Sequence, residues 1–323
     1  MRAVVCSELA PLDRLTVEER PDLVPGPGHV IIEVEAAGVN FVDALFVQGK
    51  YQIKPPLPFT PGGEVAGRVA ALGEGVTGLA LGDRVLGMCG LGGFASQVAL
   101  PALSCVPVPD GLSSGQAAAL IQSYATMLYA FTRRTYVTEG EWVLVLGAGG
   151  GIGLAAIDVA RALGARVVAA ASSEPKLEAA MAAGAEAVVD YESEDLKTRV
   201  REVTGGGADL VVDPVGGDKA EAALRSLRTG GRYVVIGFAS GEIPRLPANQ
   251  VLLNNRTVVG IDWGAWTFQH PAENAELLGD LLERVASGQL RPVEPVAYPL
   301  ERAAEALADL EGRRITGKVV LVP

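Results

Sequence analysis

The feature that most constrains this chain is the run Leu146-Gly147-Ala148-Gly149-Gly150-Gly151-Ile152-Gly153. It closes an apolar, strand-like stretch (142–146) and opens an apolar, helix-like one (152–163). The small residues Ala148, Gly150 and Gly153 read as A-x-G-x-x-G. Small residues permit a tight turn and let backbone approach a pyrophosphate, and the following helix offers unpaired N–H groups and the positive end of its dipole. A glycine-rich turn alone is a weak signal, because any flexible turn can look like it. Here it lies within a series of alternating units. Strands are expected at 142–146, 166–170, 187–189, 209–213 and 232–236, and helices at 152–163, 175–183, 194–204 and 219–227. Strands apolar throughout and separated by helices imply a parallel sheet covered on both faces. The segment 120–260 is therefore expected to be a doubly wound dinucleotide-binding domain, with Ala148, Gly150, Gly151, Ile152 and Gly153 at the phosphates.

The end of the second strand bears on which dinucleotide. An NAD site carries an acidic residue there to bond the ribose 2′-OH. This strand ends Ala169-Ala170-Ala171-Ser172-Ser173, with no acid at its tip. Ser172, Ser173 and Lys176 are hydroxyl donors and a cation suited to a 2′-phosphate, so NADPH is expected in preference to NADH. Glu174 would weaken that attraction if it turned inward. Ser173 could instead simply cap the helix, with Lys176 in solvent.

Residues 1–119 differ in character. They are rich in Gly and Pro and carry short β-rich runs at 30–34, 64–69, 84–86 and 96–100, as in a barrel or sandwich. After residue 260 come two expected helices (272–287 and 302–311) and a strand (318–322). That tail is too small to stand alone and is assigned to the first domain. The expected architecture is an α/β chain in which a β-rich domain, 1–119 with 261–323, is interrupted by the domain 120–260.

The 323 residues are enough for about two domains. With 49% hydrophobic and 20% charged residues, global disorder is excluded. The net charge of −11 and the lack of a basic stripe argue against a nucleic-acid partner. Cys6, Cys89 and Cys105 are too few for a disulfide framework, which fits a reducing cytosol. The apolar run at the N-terminus is too short for a signal peptide, and the uncharged apolar stretch 142–157 is interrupted by glycines. A cytoplasmic protein without a membrane partner is expected. His29 and His270 with the three cysteines offer no set of donors at metal-binding spacing, so no metal is expected.

Five segments together carry a resemblance. They are Ala37-Gly38-Val39-Asn40-Phe41-Val42-Asp43, Pro61-Gly62-Gly63-Glu64-Val65-Ala66-Gly67, Gly82-Asp83-Arg84-Val85, the loop 148–153 and Thr316-Gly317-Lys318-Val319-Val320. In this order they resemble the zinc-independent quinone oxidoreductase (zeta-crystallin-like) branch of the medium-chain dehydrogenase/reductase superfamily, over essentially the whole chain. The resemblance implies a GroES-like β-rich domain around an inserted Rossmann domain, NADPH in the cleft between them, and a homodimer. Zinc-type relatives place a Cys where Asn40 stands and a His where Gly63 stands, and carry a four-cysteine lobe where only Cys89 is found here. Two departures are that the family loop often has Ala where Gly149 stands, and that a Gln common on the next helix is Asp158.

By the same resemblance, Asn40 and Asp43 lie near the nicotinamide and substrate. Tyr51 lines the substrate pocket or, in related enoyl-thioester reductases, donates a proton. Thr126 and Tyr129 approach the nicotinamide and ribose, and Tyr191 packs near the adenosine 2′-phosphate. Phe238, Ser240 and Trp263 hold the carboxamide end, and Lys318 lies close to the cofactor. Each also has a plain reading: a turn residue for Asn40, a helix start for Asp43, a barrel cap for Tyr51, strand surface for Lys318. The expected activity is hydride transfer from NADPH to a quinone or similar electrophilic carbonyl. A quinone can be protonated from solvent, so no strong general acid is needed, which fits a chain with two histidines. The alternatives are reduction of an enoyl-thioester or other activated alkene (enone), with Tyr51 as the acid, and a non-catalytic NADPH-binding protein.

Overall fold

The computed structural model describes all 323 residues. The chain divides into two units, Met1–Gln122 with Glu294–Pro323, and Ser123–Val293.

The second unit is built on a parallel sheet. Its strands, in chain order, are Trp142–Leu146, Arg166–Ala171, Ala187–Asp190, Ala208–Asp213, Leu227–Val235 and Thr257–Gly260, and their spatial order is third, second, first, fourth, fifth, sixth. This is the strand order of the dinucleotide-binding fold, which reverses direction between its first and fourth strands. The central strands are buried on both faces: Val143 to Leu146 and Val167 to Ala171 are at most 1% exposed. That is why they read as continuous apolar runs without alternation. Helices Gly151–Ala162, Glu174–Ala182, Leu196–Thr204 and Lys219–Ser226 provide the crossovers.

Two features differ from the sequence reading. The sixth strand, Thr257–Gly260, was not foreseen: it is short, half-exposed and at the sheet's edge, so it carries no buried apolar run. Residues 261–293, grouped above with the first domain, lie in the second unit. The helix Pro271–Ala286 buries Leu277 and Leu281 and packs on Thr126–Tyr129. Asp158 accepts a hydrogen bond from the Arg291 backbone N–H at 2.6 Å, and Gln289 donates to the Ala162 carbonyl at 2.9 Å. These contacts tie the helix and the turn after it to the second unit.

The first unit is β-rich. Its main sheet runs Val296–Pro299, Val319–Val322, His29–Val39, Glu64–Leu72, Arg84–Met88, Cys105–Pro107, with Gln97–Pro101 also paired to His29–Val39. The long strand His29–Val39 pairs Gln97–Pro101 along its first half and Val319–Val322 along its last residues. Its core holds Val30, Ile32, Val65, Phe94, Leu300 and Leu321, so residues from both ends of the chain share one interior. No helix of either unit is long and apolar enough to cross a membrane.

Candidate active site

Strand register assembles the polar cluster of the first unit. Gly38 is paired with Glu64, and Val39 with Val319. The residues just beyond those pairs, Asn40 and Lys318, therefore meet beside Glu64. Lys318 Nζ donates to Asn40 Oδ1 at 2.5 Å and to Glu64 Oε1 at 3.0 Å, and Asn40 Nδ2 donates to Glu64 Oε1 at 2.9 Å. The Gln122 backbone N–H donates to the other Glu64 oxygen at 2.8 Å. The Glu64 side chain is 1% exposed and Lys318 12%. Gly38 makes room for this: a Cβ there would collide with the Ala118 carbonyl and lie 2.6 Å from Glu64 Oε1.

Asn40 also precedes the helix Phe41–Val47, whose third residue is Asp43. The Asp43 carboxylate accepts the Asn40 backbone N–H at 2.8 Å, satisfying one orphan donor of the helix start. Its other oxygen, Oδ1, is buried without a hydrogen-bond partner. Burial pushes the Asp43 carboxyl up to about 7; the Asn40 N–H and the Lys318 charge oppose that rise, and Glu64 adds to it. Tyr51 lies past the other end of the same helix, its ring 4.7 Å from that of Phe46. Cys89 donates to the Gly62 carbonyl at 3.2 Å, and burial pushes its thiol up. No group of three or more His, Cys, Asp or Glu side chains is arranged to hold a metal ion.

The second unit holds the residues expected to bind the cofactor, apart from Lys318, which belongs to the first. Gly150 precedes the helix Gly151–Ala162, and the loop folds back on itself through Gly150 N–H to Gly147 O at 3.0 Å. A Cβ on Gly153 would collide with the Gly147 carbonyl and sit 2.7 Å from Ala148 Cα, so this helix can start so close to its strand only with glycine there. Ala148 is fully buried, and Gly151 and Ile152 are half-exposed at the helix mouth. The loop therefore fits a pyrophosphate.

Ser172 and Ser173 follow the second strand. Ser173 precedes the helix Glu174–Ala182, but its hydroxyl does not cap it. Lys176, on that helix, packs against the loop: its Cβ lies 2.5 Å from where a Gly149 Cβ would be. Tyr191 follows the third strand, and Lys219 reaches it from the helix after the fourth, with Nζ 3.3 Å from the Tyr191 carbonyl and 5.3 Å from the ring centroid.

Asp213 ends the fourth strand and fixes the loop beyond it, accepting from the Val215 and Gly216 N–H groups at 2.8 Å each and from the Tyr233 hydroxyl. Against that loop lies the segment of Phe238 and Ser240, through Ala239 N–H to Pro214 O and Ser240 N–H to Val215 O. Thr126 and Tyr129 form a short α-helical turn between two π-helical stretches, Ile121–Ala125 and Ala130–Arg134. Tyr129 is buried with its ring centroid 4.7 Å from that of Trp266. Trp263 is buried, and its indole N–H is used by Asn274 at 3.1 Å.

Residues 26–110 match the family model described as alcohol dehydrogenase GroES-like domain, and residues 151–282 the one described as zinc-binding dehydrogenase. The chain is 40% identical to the quinone oxidoreductase-like protein 2 homolog of Nematostella vectensis, over 99% of its own length and 88% of the relative's. Among solved structures, it is 36% identical to the quinone oxidoreductase of Thermus thermophilus, solved alone and in complex with NADPH, with a TM-score of 0.87 and full coverage (100%) of both chains. The Escherichia coli quinone oxidoreductase complexed with NADPH is 30% identical, with a TM-score of 0.90 and 100% of both chains covered. The chain belongs to the medium-chain dehydrogenase/reductase superfamily.

Within this superfamily it is an oxidoreductase of the quinone oxidoreductase type. Two members of its polar clusters were not singled out from the sequence. Glu64 appeared only as one letter of a glycine-rich motif. A carboxylate heading the apolar run Val65-Ala66-Gly67 is the signal that could have marked it, because a buried charge needs partners. Lys219 carried no such signal, since its contact with Tyr191 depends on how two loops meet.

Proposed function

We propose that this medium-chain dehydrogenase/reductase binds NADPH and reduces a quinone or similar electrophilic carbonyl compound by hydride transfer, without zinc. The observation that carries the reading is the hydrogen-bonded set Asn40, Glu64 and Lys318. An amide, a carboxylate and an ammonium are already bonded to one another. By the resemblance described above, zinc-type relatives use a Cys and a His at Asn40 and Gly63. The ammonium of Lys318 thus sits against the amide that stands at the first of those two positions.

The coenzyme would be held by the loop Ala148 to Gly153 at its phosphates. Lys176, and on the Tyr191 side Lys219, are cations that favour a 2′-phosphate. When bound, NADPH supplies the hydride, chemistry that belongs to the cofactor. Asn40 supplies an N–H donor for a carbonyl oxygen on which negative charge develops. The hydroquinone anion so formed takes its proton from water, which is consistent with a cluster lacking histidine. The exposed edge strand Thr257–Gly260, with Val258 41% exposed and Leu252 and Leu253 more than 70% exposed beside it, supports a homodimer.

The test is NADPH oxidation with para- and ortho-quinones set against crotonyl-CoA, on the wild type and Tyr51→Phe, with zinc measured on the same preparation. We expect quinone turnover in both proteins and no stoichiometric zinc. Consumption of crotonyl-CoA alone, abolished by Tyr51→Phe, would replace this reading with that of an enoyl-thioester reductase.

A further inference from the structure

We infer that Glu64 and Lys318 are positioning residues for Asn40: they hold its amide in a single orientation, so that an N–H is all it can offer to an acceptor molecule. The inference rests on the proposed role of Asn40 as a donor to a carbonyl oxygen.

An asparagine amide has an acceptor end and a donor end of nearly the same shape, and without fixed partners it can present either. Here both ends are committed. The group facing Asn40 Oδ1 is the Lys318 ammonium, which has only donors, and the group facing Nδ2 is a carboxylate oxygen of Glu64, which only accepts. Turning the amide over would set an NH2 against an ammonium and a carbonyl oxygen against a carboxylate. The two outer residues are bonded to each other, closing a triangle, and the Gln122 backbone N–H anchors the far oxygen of Glu64. The Asn40 backbone N–H is taken by Asp43, which fixes the base of the side chain. Of the two Nδ2 protons one is used by Glu64, and the other remains.

The pairing is built into the first unit's sheet. Gly38 opposite Glu64 and Val39 opposite Val319 put the three side chains in register, and Gly38 lacks the Cβ that would displace the carboxylate. An ion pair this buried is weak grounds for stability, since desolvation offsets its attraction. Specifying one amide orientation gives it a use.

A double-mutant cycle tests this. Turnover of a para-quinone at saturating NADPH is measured for the wild type, Asn40→Ala, Lys318→Met and the double variant. Asn40→Ala should lower kcat about 100-fold, as loss of one donor to a developing oxyanion does. Lys318→Met should lower it about tenfold, with the double variant no worse than Asn40→Ala alone. Lys318→Arg, which keeps the donors, should recover most of the Lys318→Met loss, and additive losses or no recovery would overturn the inference.

The Asn40 side-chain amide resonance, assigned by its absence in Asn40→Ala, reads the orientation without any turnover. It should show one proton protected from exchange in the wild type and unprotected in Glu64→Leu, which removes the accepting oxygen and gives a second readout should Lys318→Met fail to fold. An amide that exchanges freely in the wild type would sink the lock even if Asn40→Ala is inactive. An amide that is protected in the wild type, with Asn40→Ala fully active, would leave the lock standing and remove the catalytic reading beneath it.

Discussion

At the scale of single residues, the most consequential environment is that of Asp43. It is 1% exposed, and burial raises its carboxyl from the ordinary 3.8 to about 7. Between those values the folded protein holds a proton that the unfolded chain has lost. The contribution to stability is therefore complete below about pH 4 and is lost as pH climbs through about 7, by a total on the order of a few kcal/mol. Asp43→Asn is neutral at every pH and can still accept the Asn40 N–H. The melting temperature of Asp43→Asn relative to wild type should thus rise as pH goes from 4 to 8 and level off above. Parallel curves in thermal denaturation over that range would show that Asp43 ionises normally in the fold. Glu64, Lys318 and Cys89 face the same carboxyl, so the comparison belongs at constant ionic strength. Asp43 could be read from the sequence as the start of a helix. Its protonation could not, because that follows from how completely the loop at Gly62 and the strand at Glu64 close over it.

At the scale of elements, the phosphate loop and the helix Glu174–Ala182 act as one piece. A Cβ on Gly149 would lie 2.5 Å from Lys176 Cβ and 2.9 Å from its Cα, so relief requires moving the helix start rather than swinging a flexible side-chain tip. Gly149→Ala should therefore displace Lys176 and weaken NADPH several-fold while changing NADH little, in the same direction as Lys176→Ala, for which loss of a charge-assisted contact costs about 1–3 kcal/mol. Gly153→Ala should weaken both coenzymes, because its Cβ meets the Gly147 carbonyl and the Ala148 backbone themselves. Coenzyme fluorescence titrations read all three. Equal losses of NADPH and NADH in Gly149→Ala would uncouple loop from helix.

Elements of this kind were legible because buried parallel strands are continuous apolar runs and their loops hold glycine. The strand Trp142–Leu146 stands at its expected residues, and the helix expected at 152–163 is Gly151–Ala162. The π-helical stretches flanking Thr126–Tyr129 left no trace in the sequence pattern, since an extra residue in one turn changes hydrogen-bond register and not composition.

At the scale of the molecule, the two units differ in how the chain supplies them. Ser123–Val293 is continuous, with all six strands of its sheet and their crossovers. The first unit is not: Val319–Val322 pairs with the last residues of His29–Val39, and Leu300, Ala303, Ala306 and Leu307 are buried in the same core as Val30 and Val65. The sequence indicated an insertion because the tail after residue 260 is too small to stand alone and so must complete the β-rich domain. It placed the inner boundary too early, because the helices after residue 260 carry no mark of which core they join. A fragment of residues 123–293 should accordingly fold cooperatively and retain NADPH binding within about tenfold of the whole chain, a difference of about 1.4 kcal/mol. A fragment of residues 1–122 lacks two strands and a buried helix, and leaves the inner edge of His29–Val39 unpaired and its core open, so it should stay unfolded alone. Adding the peptide 294–323 in excess should restore its β-sheet circular dichroism through mass action. Cooperative melting of 1–122 without the peptide would mean that the last thirty or so residues decorate the first unit rather than complete it, and that Lys318 is brought to Asn40 by something other than the sheet's own register.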